Sequence, residues 1–131
     1  MLFHTFKIPE ERRNYGGSAF IEIQFCDRPA RTPMKQLVSG RSVLHWRTDS
    51  LYVDADDSDI FYREYSPVFD CGMHSNRKTG ALDIYGLNYY TPTLADSMIE
   101  KINEEKPEDY TVLTEWLIRS KAYNGFYILG L

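Results

Sequence analysis

The sequence predicts an α+β fold built as a single domain over residues 1–131: an antiparallel sheet of about five to six strands, two consecutive C-terminal helices and a closing C-terminal strand. Three observations carry this. Apolar and polar residues alternate at period two in the early segments, the period lengthens to that of a helix after residue 91, and the final FYILGL is too apolar for a free tail. A chain of 131 residues is long enough to bury roughly 65–70% of its unfolded surface in one core.

The elements follow in order. Residues 18–26, SAFIEIQFC, place Ala19, Ile21, Ile23 and Phe25 on one side and Glu22 and Gln24 on the other, the pattern of a half-buried strand. DRPARTP, with two prolines among three charges, is a loop. Residues 42–47 and 51–54 are β-rich, and Thr48-Asp49-Ser50 between them suits a hairpin turn. Residues 60–65 and 82–90 read as further strands, joined by CGMHSNRKTG as an exposed connection. In TPTLADSMIEKINEEK, Leu94, Ala95, Met98, Ile99 and Ile102 recur at helical spacing behind Thr91 as N-cap and Pro92 at the first helical position. Pro107 ends that helix and opens a second. Glu108 and Asp109 lie in its first turn, Val112, Leu113, Trp116 and Leu117 form its apolar stripe, and Asn124-Gly125 gives a left-handed stop. The last residues return to the sheet as a strand.

Composition narrows the function classes. No apolar run approaches the roughly 18 residues a membrane span needs, and MLFHTFKIPEERRN lacks the layout of a secretory signal, so the chain is expected to be cytoplasmic and free of membrane. Two widely separated cysteines, Cys26 and Cys71, are expected to stay reduced. Residues 1–48 hold eight Lys/Arg against four Asp/Glu, while residues 49–131 hold seven against fifteen. An acidic second half repels phosphate and argues against direct nucleic-acid binding, but it suits a basic protein partner.

The candidate site is YVDADDSDIFYREY, residues 52–65. As a metal loop it fails: counted from Asp54, the sixth position is Asp59 rather than Gly and the twelfth is Tyr65 rather than Glu. No metal and no cofactor are predicted. Catalysis is weakly represented, with His45 on a strand, His74 three residues after Cys71, and no phosphate-cradling loop. The docking reading fits best. Carboxylates steer a cationic partner and large rings anchor it, so Tyr52, Asp54, Asp56, Asp57, Asp59, Phe61, Tyr62, Glu64 and Tyr65 are the expected partner-binding residues on an acidic bend between two strands. The second tyrosine cluster, YGLNYY at residues 85–90, reads as core.

The tail YGLNYYTPTLADSMIEKINEEKPEDYTVLTEWLIRSKAYNGFYILGL resembles the ending of small acidic immunity proteins encoded beside bacterial polymorphic toxins, nearest those of contact-dependent growth inhibition systems. The resemblance covers about the last third of the chain and is one of type: size, acidity, aromatic richness and element pattern. It implies a non-enzymatic cytoplasmic protein that binds one cognate toxin domain, often a nuclease, and occludes its basic active-site surface. Two other readings stand beside it. One is a small-molecule or peptide-binding module with a Tyr-lined pocket; the other is a small hydrolase or nuclease using His74 or His45.

Overall fold

The computed structural model describes residues 1–16 and 19–131. Six antiparallel strands form one sheet: β1 (Phe20–Phe25), β2 (Leu51–Asp54), β3 (Gly72–Met73), β4 (Thr79–Gly80), β5 (Leu87–Tyr90) and β6 (Phe126–Leu129). Their order is β2-β1-β6-β5-β3-β4. The returning C-terminal strand is therefore not an edge. It pairs with β1 (Phe25 opposite Phe126) and with β5 (Tyr90 opposite Phe126), and its Phe126, Tyr127 and Ile128 are buried.

Five helices accompany the sheet: α1 (Pro9–Gly16), α2 (Met34–Leu37), α3 (Ser58–Tyr65), α4 (Ala95–Glu105) and α5 (Tyr110–Ser120). The principal core lies between one sheet face (Ile21, Ile23, Val53, Phe126, Ile128) and the apolar sides of α3, α4 and α5 (Phe61, Tyr65, Met98, Ile102, Leu113, Trp116, Leu117). Phe25 stacks on Trp116 with centroids 4.0 Å apart, and the Trp116 indole N–H donates to the Asp49 carbonyl at 2.8 Å. Lys106, in the left-handed conformation, ends α4 before Pro107. α5 starts at Tyr110 rather than at Pro107, so Glu108 and Asp109 lie before its first turn; Asp109, also left-handed, instead accepts through its carboxylate from the Leu2 and Phe3 amides at 3.1 and 3.0 Å.

The opposite face is covered as well, which overturns the half-buried reading of β1. Every residue of β1 is buried, Glu22 and Gln24 included. Two small apolar clusters sit there, one around Leu37, Val38, Tyr89 and Tyr127, the other around Phe6, Phe20 and Tyr52 with Trp46 against it.

Three predicted strands change character. Residues 42–47 form no strand, because β2 occupies that edge of β1 and the Gln24 side-chain amide satisfies the segment instead. Its Oε1 accepts from the Leu44 amide and its Nε2 donates to the Leu44 carbonyl, both at 2.9 Å. Residues 60–65 belong to α3. Asp54 caps the 3-10 turn Ala55–Asp57 by accepting from the Asp56 amide at 3.0 Å, and Asp59 in the first turn of α3 complements the positive end of the dipole. The acidic run is thus a helix start rather than the bend of a hairpin. Of residues 82–90, only Leu87–Tyr90 is strand. Buried Asn88 folds the preceding segment into a turn, accepting from the Asp83 amide at 2.9 Å and donating to the Asp83 carbonyl at 2.8 Å and the Ile128 carbonyl at 3.0 Å. The 71–80 connection carries the short β3–β4 hairpin, with Arg77 left-handed at its tip.

Candidate functional site

The helical period sorts the rings of the acidic segment. Phe61 and Tyr65, four residues apart, point into the core and are fully buried, as is Tyr52 on β2. Tyr52, Phe61 and Tyr65 therefore leave the partner-binding set: a ring sealed between helix and sheet has no surface to offer. Their hydroxyls are occupied too, Tyr65 donating to the Glu108 carbonyl at 2.7 Å and Tyr52 to the Arg47 carbonyl at 2.8 Å. Tyr89, Tyr90 and Tyr127 donate in the same way to the carbonyls of Asn124, Phe69 and Leu37. Burial pushes all five phenols well above the ordinary tyrosine range. Half of the ten tyrosines thus tie loops to the body of the fold through their hydroxyls.

Tyr62, one residue on from Phe61, faces outward with 43% of its surface exposed. It lines a groove of about 370 Å³ together with Asp59, Leu82, Asp83, Ile84 and Tyr85. Tyr85 is 74% exposed, displayed on a turn in which the Asp83 carboxylate accepts from the Tyr85 amide at 2.9 Å. The groove therefore presents two open rings, an apolar floor and two carboxylates. Asp54, Asp56 and Asp57 lie at the start of the same helix, all at least partly exposed. Among the described residues, ion pairs join Arg13 to Glu10, Arg47 to Asp27 and Asp49, and Lys121 to Asp96. None engages an acid of this groove or of the α3 start, so their field is open to an outside cation. Glu64 parts from the group. It lines a different groove, of mixed charge, with Arg63, Lys101, Glu105 and Lys106.

Asp83 and Tyr85 were hidden in a stretch that reads as core. The signal that could have exposed them is the Asp-x-Tyr-Gly pattern at residues 83–86, which is turn chemistry and lifts a ring off the sheet.

A larger cavity, of about 730 Å³, lies elsewhere, lined by Pro33, Lys35, Gln36, Ser39 and Arg41, and beside it a smaller one of about 320 Å³ is lined by Ser75, Asn76 and Arg77 with Lys35 and Ser39 again. They gather Lys35, Arg41 and Arg77, but no exposed ring lines either one.

His45 is exposed rather than packed in a strand, and no hydrogen bond joins His45 or His74 to an acid or nucleophile among the described residues. Cys71 is a free thiol whose pKa is raised by burial and by the neighbouring Asp70, the wrong direction for a ready thiolate. Among the described residues no three His, Cys, Asp or Glu gather to hold a metal, and no helix is long and apolar enough to cross a membrane. No protein-family model, no curated protein and no solved structure matches the chain.

Proposed function

We propose that the chain is a non-enzymatic immunity-type inhibitor that docks on a cationic toxin domain through the groove of Asp59, Tyr62, Asp83 and Tyr85. The observation that carries the reading is the pairing, in one groove, of two exposed tyrosine rings with carboxylates that no ion pair among the described residues engages. Interface anchors are large rings that lose water on contact, and unpaired carboxylates at their rim attract a basic surface from a distance. A nuclease fits that description because its cleft must attract phosphate, and an inhibitor offering clustered acids competes for the same field. Occlusion of the cleft then needs no chemistry from the inhibitor, and the action belongs in the cytoplasm where the toxin's substrate lies.

The test is capture of the toxin domain encoded beside this chain, followed by association kinetics. The complex should form at one-to-one stoichiometry and suppress the toxin's activity. Replacing Asp59 and Asp83 together by Lys should slow association by at least about tenfold at low salt, with the difference shrinking at high salt. Failure to bind any adjacent toxin domain removes the reading; binding with an unchanged on-rate removes this groove from it.

A further inference from the structure

On the sheet face away from α3, α4 and α5, a positive charge is enclosed by rings. The guanidinium of Arg12, from α1, lies 5.4 Å from the ring centroid of Trp46, 5.4 Å from Tyr52 and 5.9 Å from Phe20. Phe20 stands at 84° to Tyr52, while Trp46 runs within 17° of Tyr52 at 5.2 Å, so the rings form two walls meeting at a corner. Phe6 backs the corner, 5.6 Å from Phe20 and 5.4 Å from Tyr52. A buried carboxylate lies beside it. Glu22, directly opposite Tyr52 in the β1–β2 register, accepts from Ser50 Oγ at 2.6 Å and Gln24 Nε2 at 2.8 Å, and the charge of Arg12 acts on it.

What holds Arg12 there is informative. Its Nε is buried and has no hydrogen-bond partner among the described residues. The side chain is therefore held by ring faces and by the field of Glu22, without a directed acceptor for that N–H. Stranding a buried donor costs free energy, which makes a guanidinium an imperfect occupant of this corner. A quaternary ammonium carries the same charge and has no N–H to strand, and aromatic corners of this kind bind it through the negative ring faces. The helix that delivers Arg12 buries none of its own residues; beyond Arg12, it leans on the body through Tyr15 against His4 and Phe6.

The geometry points to a second binding site: the corner of Phe20, Trp46 and Tyr52 over Glu22 is a cage for a trimethylammonium group, filled in the free chain by Arg12. It lies on the other face of the sheet from the acidic groove and stands or falls independently of the docking proposal. The head group is shared by two sources, a small choline-like molecule and a trimethylated lysine on a protein tail.

Arg12→Ala vacates the cage and is the direct test, with Arg12→Gln as the second variant if the first does not fold. Each is titrated with tetramethylammonium, choline, the N-acetyl amide of trimethyllysine and methylguanidinium, following backbone and indole resonances by NMR. Saturable binding of tetramethylammonium is expected, with shifts confined to Phe20, Glu22, Trp46 and Tyr52. Its affinity should be at least about tenfold above wild type, where Arg12 competes, and above that of methylguanidinium. Adding Trp46→Leu should abolish it. Choline binding as tightly as the trimethyllysine derivative assigns the small-molecule source, and preference for the derivative assigns the protein tail. A folded variant with no saturable binding, binding that survives loss of Trp46, or methylguanidinium binding as well as tetramethylammonium overturns the proposal.

Discussion

If the groove of α3 and the 83–86 turn is the docking surface, its two rings should lose affinity in proportion to the area each has left to bury. A tyrosine offers roughly 200 Å² in all; at 43% exposure Tyr62 keeps about 90 Å² open and at 74% Tyr85 keeps about 150 Å². At about 25 cal/mol per Å² these areas correspond to upper bounds of roughly 2 and 4 kcal/mol on complete burial. Association costs consume part of this, so Tyr85→Ala should weaken binding by roughly 30- to 1000-fold and Tyr62→Ala by no more than about 30-fold. Neither hydroxyl makes a hydrogen bond among the described residues, so both variants should keep wild-type stability within about 0.5 kcal/mol. Titration calorimetry against the captured cationic domain gives the affinities, and thermal denaturation gives the stability. Dissociation constants within twofold of wild type for both variants, with folding intact, would refute the assignment of this groove.

Phe61→Ala, one residue from Tyr62, should do the reverse, costing about 3–5 kcal/mol in urea unfolding because its ring is fully buried against Phe3, Tyr65 and Phe69; a loss below about 1 kcal/mol would contradict the packing of α3. Gly125→Ala should destabilise by about 2–4 kcal/mol: φ is +81°, and an added Cβ would stand 2.1 Å from the Tyr90 carbonyl oxygen, which is backbone and cannot swing away. An unchanged urea midpoint would count against the β5–β6 register. Glu22 gives a pH dependence. Burial, acting against the hydrogen bonds of Ser50 and Gln24, raises its pKa above the ordinary 4.5, so the folded state holds this proton more tightly than the unfolded chain does. Its contribution is fully present below 4.5 and is lost as pH rises through the folded value. Glu22→Gln should therefore flatten the decline of stability with rising pH, measured as the difference between the two unfolding curves; parallel curves would show that the carboxylate is not held in this way.

Much of the architecture was legible because it rests on local chemistry. Pro92 and Pro107 punctuate two amphipathic helices, Gly125 supplies the left-handed bend before β6, and the apolar FYIL needs a partner on each side. What misled was context. Residues 42–47 have strand composition, yet β1 has only two edges, and β2 and β6 take both. A side-chain amide then replaces a strand partner, which no periodicity reveals. Residues 58–65 are too short for the periods to separate: Phe61 and Tyr65 share a face at spacing four whether the segment is helix or strand. Burial of Ile60, Phe61 and Arg63 tells them apart, because outward Arg63 lies on the same side as Phe61 only in a strand.

The acids and rings of residues 52–65 share a segment for a reason that is first of all local. Asp54 closes a turn, Asp59 sits at the positive end of α3, and the helix then turns two of its rings inward. None of this requires a partner, so charge reversal at Asp56 and Asp57 would disturb the helix start and the external field together, each change costing about 0.3–1 kcal/mol through the dipole alone. Asp83 carries no such helical duty. It meets Asp59 only because Asn88 folds the preceding turn toward α3. The docking field is therefore a product of tertiary structure, and the cleanest way to separate field from fold is to change Asp83, which the turn brings to the groove, rather than the four acids clustered at the start of α3.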